Sequence, residues 1–460
     1  MTWALSIAGL ALLVMTATAL AAPGSQLWLK RYNGPANGED QAQALGVSPD
    51  GSKVFVTGGS ERSNAGDYAT IAYDATTGQR LWVKRYPGVF DEQGGVALGV
   101  SPDGAKVFVT GIGDGSNGYG DYATVAYSAS TGATLWVKRY NGPANGPDWA
   151  NALGVSRDGS KVFVTGESYG NGSSSSDYAT IAYDASTGAM LWVRRYDGPA
   201  DFARDAATAL GVSRDGSKVF VTGNSQRSNE LTDYATVAYN ASTGQRLWVK
   251  RYGLANDQDA AHALGVGPGG AKVFVTGASD VNYATVAYDA STGAKLWVRS
   301  YNGPGQGLRD IDVAKALAVG PNGSKVYVTG QSDASNGFPD YATIAYDAST
   351  GQRLWLRRYN GPANDYGDGA NALGVGPDGS KVYVTGESAG STSNGDYATV
   401  AYGTSTGAQL WVKRYNGGAN GGDGGDALGV SPVGSKLFVT GGTTVTTSDS
   451  DYATIAYSTG

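Results

Sequence analysis

The stretch that decides the fold is residues 43–86, QALGVSPDGSKVFVTGGSERSNAGDYATIAYDATTGQRLWVKRY. It contains four segments rich in Val, Ile, Thr and aromatic residues, which favour β-strands, and the turns between them carry Pro, Asp and Gly. We predict strand A over Gln43–Ser48, strand B over Lys53–Gly58, strand C over Asp67–Asp74 and strand D over Arg80–Tyr86. A four-stranded antiparallel unit of this length is typical of one β-propeller blade.

The unit recurs along the whole chain. The dipeptide Leu-Trp occurs eight times at spacings of 49 to 58 residues, with its tryptophans at Trp28, Trp82, Trp136, Trp192, Trp248, Trp297, Trp355 and Trp411. We therefore predict an all-β fold, a single eight-bladed propeller over residues 22–460. Blades one to seven are predicted at 43–86, 96–140, 151–196, 208–252, 262–301, 315–359 and 371–415, and the last blade at 426–457. The tryptophans are interpreted as packing anchors between blades.

The two ends of the chain complement each other. Only a D strand, Leu27–Tyr32, precedes the first strand A, and only a C strand, Asp451–Tyr457, follows the last strand B. Pairing these two segments would complete the eighth blade with three strands from the C-terminus and one from the N-terminus. A ring closed in this way has no unpaired sheet edge in that blade, and such edges promote aggregation.

The N-terminus predicts export. Leu5 to Ala19 is apolar and Ala19-Leu20-Ala21 fits a cleavage site, so residues 1–21 are interpreted as a signal peptide, although no Lys or Arg precedes the apolar run. We expect a secreted or extracytoplasmic monomer without a membrane span. The chain has no Cys, so packing and not disulfides must stabilise it, and its net charge of −6 argues against nucleic acid as a partner.

Part of the repeat resembles known propeller families. The segment Ala-Tyr-Asp-Ala-Ser-Thr-Gly-x-x-Leu-Trp, at 287–297 for instance, resembles the strand-turn-strand signature of PQQ-type propellers. The Val-Thr-Gly and Asp-Tyr-Ala-Thr elements resemble bacterial β-propeller repeat proteins of the SBBP kind. The resemblance covers residues 27–457 and implies an eight-bladed propeller. It also implies a quinone-dependent dehydrogenase as one activity, but such enzymes carry long insertions and a vicinal disulfide beneath the cofactor. The absence of Cys therefore argues against PQQ.

Charged residues repeat in register. Asp67 is followed 18 residues later by Arg85, and the same offset recurs in five other units. In the fifth unit both partners are replaced together, by Asn282 and Ser300. Because these positions face each other in a C–D hairpin, we predict an ion pair in each of the other blades, including Arg31 with Asp451 across the closure.

The two faces of the ring differ. The A–B and C–D turns lie on one face, the invariant face, where the eight copies are nearly identical. The D–A and B–C loops lie on the other, the variable face; in the first blade they are residues 59–66 and 87–95. Binding residues usually lie on loops of a rigid scaffold. Aromatic residues outside the repeated pattern all fall on the variable face, and they are interpreted either as a binding patch or as loop packing: Phe90, Tyr119, Trp149, Tyr169, Phe202, Phe338 and Tyr366.

Polar residues also recur at the start of each strand A. Five residues before its Leu stands Asp in seven units, with Gln93 as the exception, and the series is interpreted as a repeated cap or, alternatively, as calcium ligands: Asp40, Asp148, Asp205, Asp259, Asp312, Asp368 and Asp423. Two residues before that Leu the units differ, which predicts either an asymmetric pocket at the channel mouth or a solvated rim: Gln43, Val96, Asn151, Thr208, His262, Lys315, Asn371 and Asp426. His262 is the single His, which excludes a multi-His metal site.

These observations favour an exported, non-catalytic scaffold that binds a protein or a cell-surface glycan through the variable face. No catalytic residue is assigned and the metal question stays open, with calcium as the candidate ion. The candidate ligand-binding residues are Phe90, Tyr119, Trp149, Tyr169, Phe202, His262 and Lys315. The alternatives are a PQQ-type dehydrogenase and a carbohydrate-active enzyme with paired carboxylates on the variable face.

Overall fold

A computed structural model describes residues 21–460 apart from 63–64, 89–93, 116–117, 171–174, 201–202, 228–230, 255–257, 306–311, 364–366, 391–393, 419–420 and 447–448. This described part forms 32 strands, β1 to β32, in eight four-stranded antiparallel sheets. It contains no helical segment that could span a lipid bilayer. The predicted all-β, eight-bladed propeller is confirmed.

Strand A is the innermost strand of each blade. It begins three residues earlier than predicted in most blades, at the repeated Asp. Its copies are β2 (Asp40–Val47), β6 (Gly95–Val100), β10 (Asp148–Val155), β14 (Asp205–Val212), β18 (Asp259–Val266), β22 (Val313–Val319), β26 (Asp368–Val375) and β30 (Asp423–Val430).

Strands B and C are buried on both faces, and their Val, Ile, Ala and aromatic side chains supply the core between neighbouring blades. The B strands are β3 (Lys53–Arg62), β7 (Lys106–Asp114), β11 (Lys161–Tyr169), β15 (Lys218–Gln226), β19 (Lys272–Ser279), β23 (Lys325–Asp333), β27 (Lys381–Ser388) and β31 (Lys436–Thr446). The C strands are β4 (Ala65–Asp74), β8 (Gly120–Ser128), β12 (Ser176–Asp184), β16 (Thr232–Asn240), β20 (Asn282–Asp289), β24 (Pro339–Asp347), β28 (Asp396–Gly403) and β32 (Asp449–Ser458).

Strand D is the outer strand. Its copies are β5 (Arg80–Pro87), β9 (Thr134–Tyr140), β13 (Met190–Tyr196), β17 (Arg246–Tyr252), β21 (Lys295–Tyr301), β25 (Arg353–Tyr359), β29 (Gln409–Tyr415) and, for the last blade, β1 (Gln26–Tyr32). Blade 1 therefore comprises β2–β5, each later blade the next four strands, and blade 8 the strands β30–β32 together with β1.

The tryptophans join neighbouring blades, as predicted. Trp82 of blade 1 packs between Phe55 of its own blade and Tyr127 of blade 2, with ring centroids 5.9 Å and 6.1 Å away. Its indole Nε1 donates a hydrogen bond to the carbonyl oxygen of Ala129 of blade 2 at 3.2 Å. The equivalent bond to the following blade is made by Trp28, Trp136, Trp192, Trp248, Trp297 and Trp355.

Both chain ends build the last C–D turn. Strand β1 pairs antiparallel with β32, with Arg31 opposite Ala453 and Tyr32 opposite Tyr452. In other blades the turn glycine donates its N–H to the residue four positions earlier, as Gly293 does to Asp289 at 2.8 Å. Gly24 takes this role at the closure: it has φ of 75° and donates to the carbonyl oxygen of Ser458 at 2.7 Å. The two chain ends are therefore joined both by the pairing of β1 with β32 and by the turn that precedes β1.

The predicted Asp–Arg ion pair forms in five blades, with N–O distances of 2.9–3.0 Å: Asp67–Arg85, Asp177–Arg195, Asp233–Arg251, Asp340–Arg358 and Asp396–Arg414. In each of them the guanidinium also contacts the hydroxyl and carbonyl oxygens of one serine of strand B: Ser60, Ser168, Ser225, Ser332 and Ser388.

The prediction is wrong for blades 2 and 8. Among the described residues, neither Arg139 with Asp121 nor Arg31 with Asp451 forms an ion pair. Strand B carries Gly113 or Thr443 at the serine position in these two blades. Gly113 has no hydroxyl, and the hydroxyl of Thr443 donates to Asp423 Oδ1 at 2.6 Å. Each arginine turns away: Arg139 donates to the carbonyl oxygen of Asp114 and Arg31 to that of Gly417.

All seven arginines share one contact that sequence spacing did not predict. Each donates a hydrogen bond to the hydroxyl of the last Tyr of strand D in the preceding blade, as Arg85 does to Tyr32 at 3.0 Å. The others pair Arg139 with Tyr86, Arg195 with Tyr140, Arg251 with Tyr196, Arg358 with Tyr301, Arg414 with Tyr359 and Arg31 with Tyr415. The repeated arginine thus links blades as well as strands within a blade.

Candidate functional site

The eight variable positions of strand A, seven of them polar, share one backbone feature. Each is the unpaired residue of a β-bulge, because the register of strand A shifts there relative to strand B; in blade 5 the shift falls between Ala261 and Ala263 and leaves His262 unpaired. A bulge re-aims a side chain and disrupts the ladder locally. Since strand A runs from the variable face along the inner edge of its blade, these eight residues surround the channel mouth on that face: Gln43, Val96, Asn151, Thr208, His262, Lys315, Asn371 and Asp426.

The bulge residues of blades 2 to 5 make an uncharged half of the mouth. Asn151 donates to the carbonyl oxygen of Ala207 in the next blade at 2.9 Å, and Thr208 donates to that of Ala261 at 2.7 Å. Desolvation, followed by the nearby Lys315 ammonium, lowers the pKa of His262 below its usual value, so the imidazole is neutral at pH 7. These side chains mainly join neighbouring inner strands.

The bulge residues of blades 6 to 8 make a charged half. Lys315 Nζ donates to Asn371 Oδ1 at 3.0 Å, and Asn371 Nδ2 lies 3.4 Å from Asp426 Oδ1. Gln41 of blade 1 donates to the other oxygen of Asp426 at 3.1 Å. A continuous polar chain therefore spans four blades from Lys315 to Gln41.

A pocket of about 340 Å³ opens on the variable face beside this chain. Its walls come from blades 7, 8 and 1, and they carry both acidic side chains and glycines: Glu39, Gln41, Asn371, Glu387, Gly422, Asp423, Gly424, Asp426, Gly442, Thr444 and Ser450. This volume lies at the lower end of the range for small-ligand sites. We call this cavity the blade-8 pocket.

The blade-8 pocket exists because two facing positions are glycine. Gly424 of β30 pairs with Gly442 of β31. The same cross-strand pair is Trp149 with Glu167 in blade 3 and Val313 with Gln331 in blade 6. The missing side chains in blade 8 leave the space that these larger residues would fill.

Acidic groups dominate the electrostatics of the pocket. Burial raises the pKa of Asp426, while its hydrogen bond from Gln41 and the Lys315 ammonium act in the opposite direction. Burial and then the neighbouring Asp426 carboxylate raise the pKa of Glu387. The Lys315 ammonium is itself disfavoured by desolvation, which lowers its pKa despite these two carboxylates. The site therefore holds more negative than positive charge when its groups are ionised.

The candidate aromatic residues that the structure describes do not line the blade-8 pocket. Trp149 and Tyr169 were expected in loops, but they lie in β10 and β11 of blade 3, half-buried, with ring centroids 6.0 Å apart and planes at 76°. Tyr119 and Phe338 lie in B–C loops and are 50% and 38% exposed. Phe90, Phe202 and Tyr366 lie outside the described residues. Trp149 and Tyr169 thus pack on each other, whereas half of the Tyr119 side chain is exposed to solvent.

Five residues that line the pocket were not predicted from the sequence: Glu39, Gln41, Glu387, Gly424 and Gly442. Glu39 and Gln41 flank the conspicuous Asp40, and Glu387 stands where blade 3 has Glu167. A signal was nevertheless present, because the eight copies can be aligned: blade 8 reads Asp423-Gly-Gly-Asp426 where blade 3 reads Asp148-Trp-Ala-Asn151.

The repeated Asp of strand A is a cap, as the first interpretation had it. Asp368 is buried, and its carboxylate accepts the N–H groups of Gly361 at 2.6 Å and Ala389 at 3.1 Å. The equivalent D–A loop N–H is bound by Asp40, Asp148, Asp205, Asp259, Asp312 and Asp423. In each carboxylate at least one oxygen is thus engaged by the backbone, whereas the Oδ1 atoms of Asp40, Asp148 and Asp259 are buried without a hydrogen-bond partner among the described residues.

A further acidic group lies between blades 3 and 4. Carboxylate oxygens of Asp177, Asp197 and Asp205 lie within 4.8 Å of one another. Asp177 already pairs with Arg195 at 2.9 Å, and Asp205 accepts two backbone N–H groups. Asp257, Asp310 and Asp365, which closely precede Asp259, Asp312 and Asp368 in the sequence, lie outside the described residues.

The donor set of the channel mouth does not fit PQQ, which is a planar tricarboxylate. The blade-8 pocket presents Glu39, Glu387 and Asp426, and its walls contain neither an arginine nor an aromatic ring. Placing three further carboxylates beside these groups would be opposed by repulsion between like charges, with Lys315 as the one cation of the polar chain. We derive no step through such a cofactor.

Comparison with known proteins agrees with the fold. The chain resembles the structure of Sqt1 from Chaetomium thermophilum, with a TM-score of 0.61, 14% identity and coverage of 95% of this chain and 98% of that chain. Quinohemoprotein alcohol dehydrogenase from Comamonas testosteroni gives a TM-score of 0.60, 15% identity and coverage of 95% and 76%. The C-terminal WD40 domain of Sif2 gives a TM-score of 0.57 and 12% identity, with coverage of 95% of this chain and 99% of that chain. At these identities the likeness shows a shared propeller fold.

A family model gives a more specific result. No curated protein matches the chain in sequence. The model described as outer membrane protein assembly factor BamB matches residues 67–313 and, in a second overlapping match, residues 233–391. The two matches cover more than half of the chain and include the Thr-Gly-x-x-Leu-Trp signature. The chain belongs to this family, the PQQ-type eight-bladed propellers of the outer membrane protein assembly factor BamB.

Proposed function

We propose that the protein is an exported, non-catalytic scaffold that binds a protein partner through its variable face. The observation that carries the proposal is the asymmetry of that face. The invariant face repeats the same turns, whereas the channel mouth has an uncharged half and a charged half, with the blade-8 pocket beside the charged half. A rigid ring in which only one face differs between blades suits binding. The repeated residues pack the scaffold, and the loops of the variable face can differ without disturbing it.

The family and the fold support a polypeptide partner. The family model is described as an outer membrane protein assembly factor, a role that involves other polypeptides. The predicted signal peptide agrees with export. Sqt1, which has the same fold, was solved bound to the N-terminus of the ribosomal protein L10. A glycan is less well supported at the blade-8 pocket, since its walls offer no aromatic ring for a sugar to stack on.

Site-specific photocrosslinking in the producing cell tests the proposal. A photoreactive phenylalanine analogue would replace Tyr119 or Thr444 on the variable face, or Leu135 and Leu296 on strand D near the invariant face as matched controls, all of them at least partly exposed. We expect discrete protein adducts from the variable-face positions and none from the controls. Equal adducts from both faces, or none from either, would contradict the proposal. Fractionation of the same cells tests export.

A carbohydrate-active enzyme is the second candidate, because the structure brings Glu387 and Asp426 to one pocket, and burial together with Asp426 raises the pKa of Glu387. Paired carboxylates in one cleft are the machinery of glycoside hydrolysis. Incubation with a panel of bacterial surface polysaccharides would decide the matter. Our proposal predicts no release of reducing ends. Hydrolysis that Glu387→Gln abolishes would favour the enzyme instead.

A further inference from the structure

The two glycines that open the blade-8 pocket are not needed by the backbone. Neither Gly424 nor Gly442 has a positive φ. A Cβ atom added to Gly424 would meet nothing closer than Glu387 Cβ at 3.5 Å, and one added to Gly442 would meet Gln41 Cγ at 3.4 Å. A Cβ atom therefore fits at both positions, although glycine in a strand is less stable than alanine. The remaining physical role of the two glycines is to leave space for a ligand.

The walls of the pocket determine what that space would accept. Glu39 of blade 1, Glu387 of blade 7 and Asp426 of blade 8 come from three directions. Lys315 donates to Asn371 at the far side of Asp426 and does not line the pocket itself. Carboxylates form their strongest hydrogen bonds with ionised donors, above all with guanidinium and ammonium groups. An anion or a neutral apolar group would be opposed by the same walls.

We infer that the blade-8 pocket binds one cationic side chain, arginine or lysine, of the partner polypeptide. The inference deepens the proposed function and rests on it for the identity of the occupant as part of a protein. The Gly424–Gly442 pair provides the cavity, and Glu387, Asp426 and Glu39 provide the charge. The polar chain from Lys315 to Gln41 holds Asp426 in place, so that the carboxylate is oriented before the ligand arrives.

Titration of the full-length mature protein with short capped peptides tests the inference directly. The probes are Ac-Gly-Arg-Gly-NH2, its lysine counterpart, and the citrulline peptide, which has the shape of the arginine side chain without its charge. Binding is followed by calorimetry or by NMR at millimolar peptide and low salt. We expect saturable binding of the arginine or lysine peptide, and binding of the citrulline peptide weaker by about ten-fold or more.

A pocket-filling variant separates the pocket from the rest of the surface. Gly424→Val with Gly442→Gln transplants the Val313–Gln331 pair of blade 6 into blade 8. It should weaken binding of the cationic peptide by about ten-fold or more. The matched control places the same pair in blade 5, as Ala260→Val with Ala278→Gln, and should leave binding unchanged. Thermal melting of both variants should agree with that of the wild type within about 2 °C.

Several results would overturn the inference. They are the absence of saturable binding of either cationic peptide, equal binding of the citrulline peptide, or unchanged binding by the filled variant. Asp426→Asn provides a second readout that does not depend on filling the cavity, and unchanged binding by this variant would also contradict the charge argument. If the peptides did not bind, a positive crosslinking result would still support the proposed function, because a partner could bind at Tyr119. Failure of the crosslinking would leave the peptide titration unaffected.

Discussion

At the scale of single residues, the repeated arginine depends on one serine. Where strand B carries Ser at this position and strand D carries Arg, as Ser388 and Arg414 do in blade 7, the guanidinium contacts that serine, the Asp of strand C and the Tyr of the preceding blade. Where glycine or threonine replaces the serine, the arginine still donates to the Tyr hydroxyl but forms no ion pair with the Asp of strand C. Three residue types in three strands must therefore agree before the ion pair forms.

The consequence in blade 2 is an unpaired, buried carboxyl group. Asp121 is 4% exposed, and its Oδ1 has no hydrogen-bond partner among the described residues. Burial first, and the Asp148 and Asp114 carboxylates in addition, raise its pKa to about 6, although Arg139 opposes the shift. A carboxyl with a raised pKa destabilises the folded state once the pH exceeds its unfolded pKa, near 4, and the full cost is reached above about 6.

Asp121→Asn should therefore stabilise the protein at pH 7. The expected gain is about 1 kcal/mol, less than the pKa shift alone suggests, because solvent near the loop screens the charge. The gain should shrink as the pH falls from about 6 to 4, where Asp121 is protonated in both states. Melting of the variant and the wild type across pH 4 to 8 measures the difference, and a constant difference over this range would contradict the assignment.

The equivalent substitution in blade 1 is the control and should have the opposite sign. Asp67 Oδ2 lies 3.0 Å from Arg85 Nε. Asp67→Asn leaves that arginine without its carboxylate and should destabilise the protein by about 2–3 kcal/mol at pH 7. If both Asp→Asn variants were destabilised equally, the serine-dependent difference between blades would be wrong.

At the scale of elements, the bulge of strand A is the feature that builds the channel mouth. It depends on the glycine of strand B that faces it, because a Cβ atom on Gly441 would lie 1.9 Å from the carbonyl oxygen of Gly424. The same glycine stands opposite the bulge in every blade: Gly58, Gly111, Gly166, Gly223, Gly277, Gly330, Gly386 and Gly441. The bulge is thus a repeated feature that the glycine permits.

Substitution by Ala at two adjacent glycines of β31 should have very different effects on the free energy of unfolding. Gly441→Ala must push strands β30 and β31 apart and should cost about 3 kcal/mol or more. Gly442→Ala places its methyl group in the open pocket and should change stability by no more than about 0.5 kcal/mol. Chemical denaturation of the two variants measures both values. Similar losses in both would mean that Gly442 is required by the fold, and the pocket argument would fail.

Much of this architecture follows from the sequence alone, because eight copies of one unit can be compared with each other. The turns of the invariant face, the strand order and the Trp anchors are all visible in that comparison. The bulge is not, since one unpaired residue leaves the Ala-x-Ala-Leu pattern around His262 unchanged and only the register with strand B reveals it. The blade-8 pocket could not be predicted for a related reason. It arises where two side chains are missing, and Gly424 and Gly442 have no functional group that would mark a site.

At the scale of the whole molecule, the pocket and the closure occupy the same place. The pocket lies between blades 7, 8 and 1, and blade 8 is completed by β1 from the other end of the chain. Gly24, Trp28 and Tyr32 reproduce at the junction the contacts that a continuous chain makes in other blades: Gly24 closes the turn, Trp28 packs 5.7 Å from Phe438, and Tyr32 packs 5.4 Å from Tyr452. The geometry of the site therefore depends on a strand that contributes none of its lining.

Deletion of residues 22–32 tests this dependence most directly. The deletion removes no residue of the variable-face pocket but exposes the edge of β32 and the rings that Trp28 and Tyr32 cover. We expect the melting temperature of the mature protein to fall by about 10 °C or more, with aggregation, and a synthetic peptide of residues 22–32 added in trans to restore part of the loss. An unchanged melting temperature would contradict the closed ring and, with it, the account of the site.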